Sequence, residues 1–530
     1  MKKLPLGLQN FRKVIDGDYI YVDKTRYIYD LINNASYYFL SRPRRFGKSL
    51  LIDTIAEAFS GDKELFKGLW IYDSDYSFEK HPVLRLDMSN ISNNTPETLE
   101  RSLVYELRRR VNEEGFTLDS DLPSDLFKHL IEELYAKYGE RVVVLIDEYD
   151  KPILDHLTDL ERAEANRSVI KGFYGILKSM DPYLRFVFIT GVSKFTKTSV
   201  FSELNNLLDI TLTKKYANIC GIETGDLGKY FGEHIDYLSS LEEFKRFVYL
   251  HDEILAWYDG YSWDGLTRVI NPFSLLSFFS QERFAGFWYA SGTPVFLIDL
   301  IKKRPESFLT FNNLEVLEDV FDTFTIQNMQ IEPLLFQTGY LTVREKSFRG
   351  ALESYHLKLP NLEVADALNR NIIAEFTGKG DTVAQNAYWR INDALEAEDF
   401  QSILESLKGL FSSIPYQLHV DAEAYYHSIF YAVMSVLGFD IDAEVSTSMG
   451  RIDAVLELPD KVYVIEFKYE HCEPDAAAEA KTSLFRKALD EGMRQIESRG
   501  YADKFAGSGK KIIKAAFAFL GRDNIEMLVN

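Results

Sequence analysis

The sequence predicts a multidomain α/β protein: a doubly wound parallel sheet in the first half, a helical middle, and a smaller α/β domain towards the C-terminus. Three observations predict it. From Tyr37 to about Leu212, short β-rich apolar runs alternate with segments of helical period, as in a parallel sheet with crossover helices. Between the first run and the first helix lies a basic, glycine-containing loop, Arg42-Pro-Arg-Arg-Phe-Gly-Lys-Ser49. Near the other end, Arg451–Leu458 and Lys461–Lys468 are β-rich runs joined by Leu458-Pro-Asp-Lys461, which reads as a hairpin.

The run Tyr37-Tyr-Phe-Leu-Ser41, the loop and the helical segment Ser49–Phe59 follow the strand–loop–helix order of a phosphate-binding P-loop. In that setting Gly47 and the helix N-terminal amides cradle phosphate oxygens, Lys48 reaches the β- and γ-phosphates, and Ser49 holds Mg²⁺. Arg42 stands where the first glycine of the usual motif would be. With Arg44, Arg45 and Lys48 it forms a basic cluster that could serve ATP, a neighbouring subunit or neither. Arg141-Val-Val-Val-Leu-Ile-Asp-Glu-Tyr-Asp150 is a buried-strand run ending in acids. Asp147 there would orient magnesium through water, and Glu148 would polarise the attacking water. Leu184–Ser193 ends in Thr190, placed to read the γ-phosphate. Val83–Asp87 and Leu207–Leu212 complete the sheet, so ATP with Mg²⁺ is expected at the strand C-terminal edge.

The middle carries aromatic loops, such as Trp257–Trp263, between helical patterns. Leu334–Val343 followed by Ser354–Leu359 reads as a hairpin after helices, a winged-helix-like lid. From Val364 to about Leu410 the pattern is helical, with acids at Glu396, Glu398 and Asp399. The expected division is therefore 1–225, 226–370 and 371–530.

In the C-terminal hairpin, a symmetric turn centred between Pro459 and Asp460 places Asp453 directly opposite Glu466. Like charges so placed, with Cβ atoms roughly 4.5–5.5 Å apart, destabilise a sheet. A divalent cation removes that penalty, and hard oxygen ligands suit Mg²⁺ or Mn²⁺. Strand alternation puts Lys468 on the face of Glu466. The plainer alternative is a wet hairpin face on which Lys468 neutralises two surface acids. Against it, Val462 and Val464 on one face and Tyr463, Ile465 and Phe467 on the other indicate burial on both sides, where unused charge is costly.

A net charge of −21 argues against a protein that coats nucleic acid nonspecifically. Lys481–Lys514 nevertheless holds nine basic and four acidic residues, a local positive stretch that either docks phosphate or is merely solvated. The two cysteines, Cys220 and Cys472, fit no metal spacing or disulfide framework. With no apolar leader after Met-Lys-Lys and no run of about 18 apolar residues, a cytoplasmic protein without a membrane partner is expected.

Leu4-Pro-Leu-Gly-Leu-Gln-Asn-Phe11, Tyr21-Val-Asp-Lys-Thr25, the Arg42–Ser49 loop and Ile146-Asp-Glu-Tyr-Asp150 together resemble the bacterial AAA-ATPase-like proteins. Asp453 and Glu466-Phe467-Lys468 resemble the PD-(D/E)XK nuclease superfamily, a domain such proteins commonly carry at the C-terminus. The resemblance implies that Asp453 and Glu466 hold the metal and Lys468 serves catalysis. It also implies a further carboxylate from a preceding helix, here Glu423 in Asp421–Leu437, which shares a stripe with His427 and Phe430. Gln495 and Ile496, followed by Tyr501, look like the superfamily's Gln/Tyr motif. The function implied is ATP binding and hydrolysis coupled to a metal-dependent nuclease acting on DNA or RNA, with a homo-oligomer left open. The alternative is a nucleotide-dependent switch or scaffold whose nuclease-like domain binds without cutting.

Overall fold

Parallel strands require crossover connections, and the first half supplies them. In a computed structural model, β1 (Tyr37–Ser41), β2 (Val83–Asp87), β3 (Val142–Asp147), β4 (Leu184–Gly191) and β5 (Leu208–Asp209) form one sheet in the order β2-β3-β4-β1-β5. Every neighbouring pair is parallel. The central strands β1 and β3 are buried along their whole length, as their unbroken apolar sequences require. Helices Lys48–Ala58, Pro96–Glu114, Pro123–Tyr138 and Leu160–Gly175 lie between the strands in sequence. Thr95 accepts from Thr98 N as the cap of the second of these, with Pro96 at its first turn and Gly115 at its end.

The structure describes residues 1–194, 200–201, 204, 206–288, 314–321, 331–350, 352–368, 390–391, 393–411, 430, 440–447, 450–458, 460–472, 476–499, 501–505, 507, 509–520 and 524–530. The chain divides into two compact units, one of Met1–Ser291 with Glu315–Leu362, the other of Gly292–Leu314 with Glu363–Asn530. The first unit therefore holds the parallel sheet and most of the middle segment together. There β6 (Ile222–Glu223) and β7 (Val269–Ile270) make a small ladder. Helices Thr224–Ser240, Leu250–Tyr258 and Pro272–Gln281 enclose an aromatic core that includes Phe231, Phe278 and Phe279. β8 (Leu314–Leu317), β9 (Thr342–Arg349) and β10 (Leu352–Lys358) form a three-stranded sheet in the order β8-β10-β9, giving the winged-helix-like element. One detail differs from the sequence reading. The run from Leu334 is not strand at its start: Ile331–Thr338 is helical, and β9 begins only at Thr342. A short apolar run does not distinguish helix from strand, whereas Pro333 in the first turn and Gly339 just past the end are helix signals.

In the second unit β11 (Asp440–Thr447), β12 (Gly450–Glu457), β13 (Lys461–Glu470), β14 (Lys511–Leu520) and β15 (Asn524–Val529) form a mixed sheet in sequence order. β13 and β14 are parallel, connected through helix Ala478–Ser498, and the other neighbours are antiparallel. Val455, Val462, Val464 and Ala516 pack with Met493 and Ile496 of that helix. On the opposite face Tyr463 donates to Leu395 O at 3.0 Å, and Phe467 stacks with Phe517. β13 is thus covered on both sides. Among the described residues, no helix is long and apolar enough to cross a membrane.

Candidate functional site

The loop after β1 turns into helix Lys48–Ala58 at Gly47, whose φ of 91° is a left-handed conformation that glycine adopts without steric strain. Lys48 is buried, with its ammonium donating to the carbonyl oxygens of Arg42 (3.0 Å) and Pro43 (3.2 Å). It also lies 3.2 Å from Glu148 Oε1. Ser49 is half-buried at the first turn, and Phe46 wedges edge-on against Tyr261 and Trp263.

The three arginines separate. Arg42 is wholly buried, and its guanidinium points inward. Nη1 donates to Ser41 O (2.8 Å) and Thr211 O (2.9 Å), and Nη2 to Tyr216 O (3.1 Å) and Ala217 O (3.5 Å). It also stacks 3.9 Å over Trp263, and burial brings it down to about 10. So occupied, it braces the loop against the 211–217 segment. Arg44 and Arg45 are exposed. Arg45 lies over the Phe273 ring at 3.9 Å, and Arg44 O accepts from Trp288 Nε1 at 3.0 Å.

β3 delivers Asp147 and Glu148 beside this loop. Thr190 Oγ1, at the end of β4, donates to Asp147 Oδ1 at 2.6 Å and fixes that carboxylate. Glu148 has φ 51°, a strained setting for a non-glycine residue, and its N–H donates to Asp147 Oδ1 at 3.0 Å. The fully buried Asp150 accepts from Val192 N, Ser193 N and Ser193 Oγ, binding the acidic loop to the tail of β4. Burial, reinforced by the charge of Glu148, pushes Asp150 up to about 6, although the Ser193 bonds and Lys48 pull the other way. The next residue reaches the middle segment: Lys194 N donates to Gln337 Oε1 at 3.0 Å.

In the second unit the hairpin has the register expected. Leu458 N donates to Lys461 O at 2.8 Å, and the ladder runs from Glu457 opposite Val462 to Ala454 opposite Ile465. The next step of that register brings Asp453 to Glu466. Phe467 N donates to Asp453 Oδ2 at 2.8 Å, and Lys468 Nζ donates to Glu466 Oε1 at 3.0 Å. Glu466 is fully buried, and Asp453 and Lys468 are half-buried beside it. Burial raises the Asp453 carboxyl above its ordinary range, while the Phe467 amide, Lys468, Arg499 and a hydrogen bond with Glu466 act against the rise. Asp453, Glu466 and Lys468 are thus together in one partly desolvated place. Glu423 and His427 lie outside the described residues. Phe430 is described, packing edge-on to Phe467. Among the described residues no three His, Cys, Asp or Glu side chains gather as a metal cluster.

Two residues near this place were not singled out from the sequence. A Cβ on Gly492 would come 3.0 Å from Ala516 Cβ, 3.7 Å from Lys468 Cγ and 3.9 Å from Glu466 Cβ. That glycine lets helix Ala478–Ser498 press against the acidic strand. Arg499, which acts on Asp453, follows seven residues later. The spacing 492, 496, 499 was legible as one helical stripe, but its neighbour across the sheet was not.

Comparison with known proteins adds the following. The family model "Predicted AAA-ATPase" matches residues 5–201, and that of the PD-(D/E)XK nuclease superfamily matches 421–527. An uncharacterized protein in the vnfD 5′ region of Azotobacter chroococcum mcd 1 is 37% identical over 518 residues, spanning 96% of this chain and 95% of its own. Among solved structures, ORC2 of Aeropyrum pernix in ADPNP–ADP complexes aligns with a TM-score of 0.27 at 11% identity, over 66% of this chain and 93% of its own. Drosophila ORC bound to poly(dA/dT) DNA and Cdc6 aligns with a TM-score of 0.24 at 12% identity, over 69% and 51%. Those scores are too low to support an inference.

Proposed function

The chain belongs to the predicted AAA-ATPase family and carries a C-terminal domain of the PD-(D/E)XK nuclease superfamily, and on that footing we propose that it binds and hydrolyses ATP and uses the nucleotide to govern metal-dependent phosphodiester cleavage. In this reading Lys48 and the amides from Gly47 onward hold the phosphates, and Ser49 and Asp147 hold magnesium. Thr190 keeps the Asp147 carboxylate aimed, and Glu148 accepts the proton of the attacking water at its carboxylate. Magnesium would contribute neutralisation of the charge between the β- and γ-phosphates. Arg42 is a brace, and Arg44 and Arg45 remain exposed cations available to phosphate or a second subunit.

The observation that carries the cutting half is the meeting of half-buried Asp453 and Lys468 with the buried Glu466. Two acids in contact in a partly buried place form a donor set suited to Mg²⁺ or Mn²⁺, to which the family resemblance would add Glu423. A divalent cation there would supply Lewis acidity and offset charge on the phosphate. Lys468 orients water and stabilises the oxygen on which negative charge grows. The test is to incubate the full chain with DNA or RNA oligonucleotides and Mg²⁺ or Mn²⁺, with and without ATP. Equal cleavage by Lys468→Ala would remove this mechanism. Equal cleavage with and without ATP would remove the control by nucleotide.

The net charge of −21 favours a second reading, in which the C-terminal domain binds metal and partner without cutting. Stabilisation by Mn²⁺ that disappears in Asp453→Asn, with no cleavage of any nucleic acid, would select it.

A further inference from the structure

Resting on the phosphodiesterase reading, we propose that Arg499 binds a phosphate of the nucleic-acid backbone beside the Asp453–Glu466–Lys468 site, as the clamp that positions the strand. The first support is the face the residue shares. Asp453 and Val455 point to the same side of β12, and Glu466 and Lys468 share a side of β13 with Val462 and Val464. Val455, Val462 and Val464 pack on Met493 and Ile496, so helix Ala478–Ser498 covers this side. The helix passes so close at Gly492 that a Cβ there would touch Lys468 Cγ and Glu466 Cβ.

From Gly492, seven residues return to nearly the same stripe, and that position is Arg499. Its N–H still donates to Gln495 O at 3.2 Å, so the helical path extends to it. Side chains on a helix lean towards its N-terminus, which points Arg499 back along the stripe towards Gly492 and the acids. Its charge is felt at Asp453 beside that of Lys468. Arg499 is exposed, with room for a ligand to approach.

The second support is charge. Asp453 and Glu466 balance Lys468 and Arg499, and the nearby Glu470 is matched by Lys487 at 3.0 Å. A divalent cation held by Asp453 and Glu466 would leave Lys468 and Arg499 uncompensated by those two acids, and one further carboxylate such as Glu423 would still leave a net positive charge. An anionic phosphodiester relieves that surplus, and the doubly charged transition state relieves it further. The planar guanidinium suits bidentate contact with phosphate oxygens.

The test measures binding. Full-length protein in Ca²⁺ is titrated against a fluorescent single-stranded oligonucleotide by anisotropy across a salt series, for wild type, Arg499→Ala and Arg499→Lys. One lost phosphate contact weakens binding about tenfold and lowers the log–log salt slope by about 0.7, with Arg499→Lys retaining most of the slope. An unchanged slope in Arg499→Ala, or a wild type that binds no oligonucleotide, overturns the proposal. An arginine serving only as an ion pair for Asp453 would change melting temperature and leave the slope alone. The two ideas fail separately: an Arg499-dependent slope without cleavage removes the phosphodiesterase reading only, and Lys468-dependent cleavage with an unchanged Arg499→Ala slope removes the clamp only.

Discussion

Lys48 Nζ lies 3.2 Å from Glu148 Oε1, so the loop's cation and the acid proposed to activate water are joined to each other. The same ammonium is held by two carbonyl oxygens of its own loop. In the proposed reading an arriving phosphate would compete with all three oxygens for Lys48 and so release Glu148. Binding and readiness for hydrolysis would then be joined through one pair.

Separate consequences follow for the two partners. Lys48→Ala should weaken ATP binding by about a hundredfold, read with a fluorescent nucleotide. Glu148→Gln should leave affinity within a few-fold of wild type and slow hydrolysis by about 10²–10⁴. Retained hydrolysis in Glu148→Gln would show that another group activates the water.

Arg42 should behave as a brace. Arg42→Ala strips four carbonyl oxygens of their donor and should destabilise the fold by about 3–5 kcal/mol in chemical denaturation. Arg42→Lys should not restore it, because an ammonium cannot reproduce the planar fork over Trp263. A stable Arg42→Ala with lost ATP affinity would make the residue a ligand.

Gly492→Val should part helix Ala478–Ser498 from the acidic strand, since even a first side-chain carbon stands 3.0 Å from Ala516 Cβ. The expected loss is about 1–3 kcal/mol. Mn²⁺-induced stabilisation should fall with it, measured as the change in melting temperature on adding metal.

Asp150 gives a pH dependence with a defined sign. Its ordinary value is 3.8, and in the fold it is pushed up to about 6. Between these values the folded protein keeps a proton that the unfolded chain has released, so this group's contribution is full below about pH 4 and lost as pH rises through about 6. Asp150→Asn should remove that decline from a melting-temperature profile taken between pH 4 and 7. An identical profile in the variant would mean that Asp150 is ionised throughout.

Much of this was readable from the sequence because the physics is local. The hairpin register followed from a turn centred between Pro459 and Asp460, and the observed pairing of Ala454 with Ile465 is that register. The parallel sheet followed from unbroken apolar runs such as Val142–Ile146 between helical segments. What was not readable depends on distant partners. Nothing near Arg42 in sequence announces that Thr211, Tyr216 and Trp263 would claim its guanidinium. Gly492 likewise looked like any helix glycine until Ala516 stood opposite it. The 334–343 segment reads as strand but opens as helix because a handful of apolar residues fits either period.

The hydrogen bond from Lys194 N to Gln337 Oε1 ties the tail of the parallel sheet to helix Ile331–Thr338. Gln337 also donates to Phe321 O at 3.4 Å, so one amide side chain grips the tail of β4 with one end and the segment beside β8 with the other. Under the proposed ATP-binding role, a displacement of Thr190 on nucleotide binding would pass through Gly191, Val192 and Ser193 to Lys194 and on to helix Ile331–Thr338, which leads into the β9–β10 hairpin. In that case the hairpin would act as the pointer of a gauge whose dial is the nucleotide.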